Sequence, residues 1–192
     1  MGNLEVVFGL VNNTNTKILN GNFKGISESG YGEGCINDTK GELEILDGTF
    51  YGSNNHTMLG GRGVASEGKL IVRGGNFTGE STKSSGIGIS TYSKGYSEIY
   101  GGHFYGKGEG EVSGVGVETD NNATTIINDG EFIGESTNSS AYGCRNANSS
   151  KTTINGGSFT GNSTNKTGYS CYNSSSTISI NNAILNGSKY GC

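Results

Sequence analysis

Ile154-Asn155-Gly156-Gly157-Ser158-Phe159-Thr160-Gly161 decides the reading of the whole chain, because the same phrase returns along its length. Its skeleton, apolar-x-x-Gly-x-Phe-x-Gly, is repeated as Ile18…Gly21…Phe23…Gly25, Ile45…Gly48…Phe50…Gly52 and Val72…Gly75…Phe77…Gly79. Further copies are Ile99…Gly102…Phe104…Gly106 and Ile127…Gly130…Phe132…Gly134, with a degenerate last copy at Ile180…Ala183…Leu185…Gly187. The landmark residues Phe23, Phe50, Phe77, Phe104, Phe132, Phe159 and Leu185 are spaced by 27, 27, 27, 28, 27 and 26 residues. A fixed period in this range is the mark of a repeat architecture, in which one thin core is reused from unit to unit.

A second motif runs in step with the first. It reads Gly9-Leu10, Gly34-Cys35, Gly63-Val64, Gly88-Ile89, Gly116-Val117, Gly143-Cys144, Ser170-Cys171 and Gly191-Cys192. Each period therefore contains three short extended pieces. The first carries the Leu10/Cys35/Val64 column, the second alternating pairs such as Leu43 and Ile45, and the third the Phe. Alternation over four or five residues indicates strands, and no 3.6-residue stripe competes with it. Between the second and third pieces lie Asn20-Gly21, Asp47-Gly48, Gly74-Gly75, Gly101-Gly102, Asp129-Gly130, Gly156-Gly157 and Asn182-Ala183. Only Gly, Asn or Asp occupies the first place, as expected of a corner in the left-handed conformation. If each period is one coil, like residues stack about 4.8 Å apart and the Phe residues form an internal column.

The expected fold is all-β: a parallel β-solenoid of about seven coils with three strands each. It makes one domain over residues 1–192, with coils starting near residues 6, 31, 60, 86, 113, 140 and 167 and a partial last rung at 188–192. Composition agrees. Of 192 residues 36 are Gly and none is Pro or Trp, while 31% are hydrophobic and 16% charged. That is too apolar-poor for a conventional core and too charge-poor for a disordered chain. The net charge of -4, without a basic cluster, excludes nucleic acid as an expected partner, and no apolar run is long enough for a membrane helix.

With its Ile-Asn-Gly-Gly-Ser-Phe-Thr-Gly phrases, the chain resembles the right-handed parallel β-helix proteins, the pectate-lyase-like superfamily in the broad sense. The likeness covers residues 6–192 and is closest to the non-catalytic Gly/Asn/Thr-rich surface-repeat type. It implies a right-handed coil.

The residues do not add an active site. Polysaccharide cleavage on such a scaffold needs paired carboxylates or a cation cluster with a base. The four aspartates, Asp38, Asp47, Asp120 and Asp129, are scattered, and Asp47 and Asp129 read as corner residues three coils apart. Arg62, Arg73 and Arg145 fall on different columns, and Glu80 and Glu135 share an outward position two coils apart. His56 and His103 lack Cys or carboxylate partners at ligand spacing, so no metal and no cofactor is expected. The chain is read as no enzyme.

Cys35, Cys144, Cys171 and Cys192 share one inward column. They are read as buried thiols, with a bridge at Cys144–Cys171 or Cys171–Cys192 as the alternative, since adjacent coils bring Cα atoms within disulfide range. Asn-x-Ser/Thr triplets begin at Asn12, Asn37, Asn55, Asn122, Asn138, Asn148, Asn162, Asn165, Asn173 and Asn186, and also at Asn76. All but Asn76 are placed in turns or loops, and they are read either as turn chemistry or as glycosylation sites. Tyr51 and Tyr105, with Tyr100 nearby, form a possible glycan-binding face, and Tyr142, Tyr169 and Tyr190 form another column.

The ends carry the functional expectation. Neither shows a cap: the first strand holds Val6, Phe8 and Leu10, and the last rung holds Tyr190 and Cys192. Open sheet edges recruit other strands, and placing Phe8 over Tyr190 and Leu10 over Cys192 joins apolar to apolar in a head-to-tail contact that does not close. The expectation is a structural protein that stacks on itself into a filament or rod, outside the cell or on its surface, although no signal peptide is visible. The alternative is a glycan-binding adhesin or tail-fibre module using the Tyr columns, with carbohydrate as partner. An inactive relative of polysaccharide lyases or hydrolases comes third.

Overall fold

A computed structural model describes residues 7–57 and 60–188. Every regular element among them is a strand, and all pairings are parallel. Sheet A is built from β1 (Val7–Asn12), β4 (Gly32–Asn37), β7 (Gly61–Ser66), β10 (Gly86–Thr91), β13 (Gly114–Thr119), β16 (Ala141–Ala147) and β19 (Gly168–Ser174). Sheet B is built from β2 (Asn15–Ile18), β5 (Glu42–Ile45), β8 (Lys69–Val72), β11 (Tyr96–Ile99), β14 (Thr124–Ile127), β17 (Lys151–Ile154) and β20 (Thr177–Ile180). Sheet C is built from β3 (Asn22–Ser27), β6 (Thr49–Asn54), β9 (Asn76–Ser81), β12 (His103–Gly108), β15 (Glu131–Ser136), β18 (Ser158–Ser163) and β21 (Ile184–Gly187). Every strand pairs with the strand three places on, so the chain is a parallel β-solenoid of about seven coils.

The register follows the repeat. Phe23, Phe50, Phe77, Phe104, Phe132 and Phe159 stack with ring centroids 4.7–5.0 Å apart and planes within 12° of parallel. Leu185 pairs with Phe159 and ends the column. Offset stacks of this kind add to ordinary burial. The Phe column packs with Ile45, Val72, Ile99, Ile127 and Ile154 from sheet B and with Cys35, Val64, Ile89, Val117 and Cys144 from sheet A.

Glycine sets how close the sheets come. A Cβ on Gly143 would lie 2.7 Å from the Thr160 nitrogen and 2.9 Å from the Phe159 carbonyl carbon, both in sheet C. The corner chemistry differs from the sequence expectation. Positive φ falls on the glycine, as at Gly48 (133°), while the residue before it contributes a hydrogen bond: Asp47 Oδ1 accepts from the Gly48 nitrogen at 2.8 Å. Asn20 and Asp129 do the same for Gly21 and Gly130. A second left-handed corner, between sheets A and B, is made by Ser93-Lys94, Asn121-Asn122 and Asn148-Ser149.

Candidate assembly ends and outer faces

Where sheet A turns into sheet B, an inward polar column runs the length of the solenoid. It consists of Asn12, Asn37, Ser66, Thr91, Thr119, Asn146 and Asn173, one per coil. Buried polar groups require partners, and these find them along the axis. Asn12 Nδ2 donates to Asn37 Oδ1 at 2.8 Å, and Asn37 Nδ2 donates to Ser66 Oγ at 3.0 Å. In the middle coils the column turns sideways to sheet B, with Thr91 bonded to Ser97 at 2.6 Å and Thr119 to Thr125 at 2.9 Å. Asn146 Nδ2 then donates to Asn173 Oδ1 at 2.8 Å. Sequence reasoning missed this column because its members differ in type; their constant offset of two from the Leu10/Cys35/Val64 column was the available signal.

That column also corrects two expected glycosylation sites. Asn12 and Asn37 are 3% and 0% exposed, and their amides are held inside the fold. They end β1 and β4 rather than lying in loops, and Asn162, Asn173 and Asn186 are likewise strand residues. Asn55, Asn122, Asn138, Asn148, Asn162, Asn165, Asn173 and Asn186 are exposed. Several of these also make axial ladders, such as Asn165 Nδ2 to Asn138 Oδ1 at 2.6 Å.

Cys35 and Cys144 are buried free thiols, which removes the Cys144–Cys171 bridge as an alternative. Burial pushes the Cys35 thiol up to about 12, so it packs as a small apolar group. Cys171 pairs with Cys144 in register and is 5% exposed; Cys192 lies outside the described residues.

The three tyrosines of the expected glycan face do not form one platform. Tyr51 and Tyr105 stand on the outer side of sheet C with Thr78 between them. Their hydroxyls donate to Glu80 and Glu135 of the following coils at 2.7 and 2.6 Å, and burial together with these carboxylates raises both phenol pKa values. Tyr100 follows β11 at the corner towards sheet C, under the Arg73 guanidinium at 4.5 Å from its ring. A larger aromatic and charged grouping covers the outer side of sheet A. Tyr142 and Tyr169 stack at 5.5 Å with Tyr172 tilted against both. Arg62 pairs with Glu33 at 2.7 Å, its guanidinium 5.5 Å from the rings of both Tyr31 and Tyr92. The Glu33 side chain is 2% exposed, and burial raises its carboxyl pKa against the pull of Arg62. Arg145 repeats the arrangement with Glu118.

His103 Nε2 lies 3.4 Å from the Glu131 carboxylate, and no group of three or more His, Cys, Asp or Glu among the described residues could hold a metal ion. Among the described residues, β1, β2 and β3 form one edge and β19, β20 and β21 the other. Inward members of the repeat are only partly covered there: Ile180 is 38% exposed, and Ile178 and Leu185 at this end and Leu10 and Phe23 at the other are partly buried, whereas their interior counterparts Ile154, Phe159, Cys35 and Phe50 are 0% exposed. A depression bounded by Tyr169, Cys171, Tyr172, Asn173 and Ile178 opens on the last coil. Val6, Tyr190 and Cys192, named in the expected end contact, lie outside the described residues. No family model matches the chain, and neither a curated protein nor a solved structure does.

Proposed function

We propose that the protein is a non-enzymatic structural element, a solenoid of the right-handed pectate-lyase-like kind that stacks head-to-tail on copies of itself into a filament or rod. One observation carries the reading: among the described residues β1, β2 and β3 at one end and β19, β20 and β21 at the other have a strand on one side only, and inward residues along both edges, Leu10, Phe23, Ile178 and Leu185, are only partly buried. Continuing all three sheets together sets β2 on β20 and β3 on β21, with Ile18 on Ile180 and Phe23 on Leu185. Parallel edges that meet in this way do not close on themselves and give an open polymer.

The polar groups of the outer faces described above are already engaged, which supports the axial reading over a glycan-binding one. Arg62 and Arg145 are each tied to a carboxylate, and the Tyr51 and Tyr105 hydroxyls are already donated. Exposed asparagines in Asn-x-Ser/Thr triplets suit a rod that works outside the cell or on its surface. Negative-stain electron microscopy of the purified full chain, over rising concentration, tests the reading. Unbranched rods about as wide as one solenoid and many times its length are expected. Monodisperse single particles at every concentration would refute it.

A further inference from the structure

The chain contains the Asn-Gly steps Asn20-Gly21, Asn155-Gly156 and Asn186-Gly187, and the fold holds them differently. Asn20 is exposed at the corner between β2 and β3, with its Oδ1 2.7 Å from the Gly21 nitrogen. Its Cγ is one carbonyl bond from Oδ1 and so lies within about 4 Å of that nitrogen. The distance from Cγ to the nitrogen is set by ψ and χ1 alone. Rotation about χ2, which is soft for a side-chain amide, turns the face of the carbonyl to the nitrogen without moving Cγ. Two reacting atoms kept this close have lost most of the entropy of encounter in advance. Asn155 is also exposed, but its amide is tied at both ends: Nδ2 donates to Asn128 Oδ1 at 3.0 Å, and Oδ1 accepts from Asn181 Nδ2 at 2.8 Å. Asn186 and Gly187 lie within β21, where the Ile184 and Ser188 nitrogens on either side donate to the Gly157 and Gly161 carbonyls of the coil before.

We propose that Asn20 is a self-modification site, its amide converted to a carboxylate by attack of the Gly21 backbone nitrogen, with water as co-reactant. The nitrogen gives its proton to solvent and bonds to Asn20 Cγ. The Cγ–Nδ2 bond breaks, Nδ2 takes up a proton and leaves as ammonia, and a five-membered succinimide remains. Water then opens the ring at either carbonyl, its oxygen going to that carbon and a proton back to the Gly21 nitrogen. Opening at Cγ gives aspartate, and opening at the main-chain carbonyl gives isoaspartate. Aspartate is a product that the corner already accepts: Asp47 and Asp129 hold the same place and receive the same bond from Gly48 and Gly130, each at 2.8 Å. Isoaspartate lengthens the main chain by one carbon beside the Gly21 carbonyl, which accepts from the Thr49 nitrogen at 2.8 Å. Both products set a negative charge one coil from Asp47, so the change is an irreversible one in the charge of the first coil. It is independent of axial stacking.

Peptide mapping of the purified full chain, incubated at mildly alkaline pH with and without urea, tests the proposal. A converted asparagine gains one mass unit, and its isoaspartyl form is labelled by an isoaspartyl methyltransferase. In the folded chain Asn20 is expected to convert at least about tenfold faster than Asn155 or Asn186. In urea, where the corner and the axial ladder are gone, the three steps are expected to convert at similar rates. A folded chain in which Asn20 stays intact, or converts no faster than Asn155 or Asn186, would overturn the proposal. A preference for Asn20 that persists undiminished in urea would overturn it too, since the corner would then play no part.

Discussion

Ile154 and Ile180 hold the same place in neighbouring coils, yet Ile154 is 0% exposed and Ile180 is 38% exposed. The same contrast separates Phe104, buried between two rings, from Phe23, which packs against one and is only partly buried. Residue type and strand position are constant within each pair, so the difference is the presence of a coil on both sides. Burial in this molecule is a property of stacking. An interior coil is complete, and a terminal coil is an interior coil with one half of its contacts missing.

Phe104→Ala should give the largest effect. Removing a fully buried ring from the middle of the column leaves a cavity between Phe77 and Phe132 and is expected to cost about 3–5 kcal/mol in urea unfolding. Phe23→Ala at dilute, unassembled concentrations should cost less than half of that. The comparison breaks if the two losses are equal. It sharpens if the Phe23→Ala loss grows with protein concentration, because that ring then gains its second neighbour from another copy.

Interior coils also tolerate charge that an end coil could not bury. Glu33 and Arg62 lie on adjacent strands of sheet A, the carboxylate almost without solvent contact. Breaking a buried pair from one side leaves an uncompensated charge, so Arg62→Met is expected to cost about 3 kcal/mol at neutral pH. The loss should depend on pH. Burial already raises the Glu33 carboxyl pKa, and removing Arg62 takes away the interaction that lowers it. A carboxyl whose folded pKa is above its unfolded value binds more protons when folded, so stability rises as pH falls through the folded value. Unfolding measured at about pH 8 and about pH 5 should show the deficit shrinking at the lower pH. A deficit unchanged between the two would mean that the lost contact of the Arg62 guanidinium with the Tyr31 and Tyr92 rings, rather than the bare carboxylate, is what destabilises the variant.

Much of the fold is legible in the sequence because one period repeats with little drift. The Phe column, the three strands per coil and the glycine rows need only local spacing. The parts that are not legible depend on contacts between coils. Asn12 and Asn37 look like loop asparagines by their triplets, and only the coil above and below shows that their amides are used. Glu33 and Arg62 are 29 residues apart, with nothing in their neighbourhoods to mark a pair; the pairing of β4 with β7 brings them together. Left-handed backbone at Lys94 or Ser149 leaves no trace either, since neither residue type announces it.

The smallest expected effect comes from a place where the last described coil departs from the interior pattern. Gly34, Gly63, Gly88, Gly116 and Gly143 fill the row in which sheet A approaches sheet C, and Ser170 follows them in the last coil. Ser170 is 0% exposed and its Oγ is buried without a hydrogen-bond partner among the described residues. An unsatisfied buried hydroxyl costs about 1–3 kcal/mol, while glycine in a strand gives back roughly 0.5–1 kcal/mol through backbone entropy. Ser170→Gly should therefore stabilise the chain by up to about 1 kcal/mol, seen as a small rise in the urea midpoint. Gly143→Ser, the reciprocal change in an interior coil, should destabilise by about 1–3 kcal/mol, because its Cβ would meet the Ser170 oxygen of the next coil and the Phe159 and Thr160 backbone of its own. Opposite signs, with the smaller magnitude for Ser170→Gly, would show one preference for glycine along the row and a looser last coil; a loss from Ser170→Gly would show that the serine is satisfied by a contact that the column does not account for.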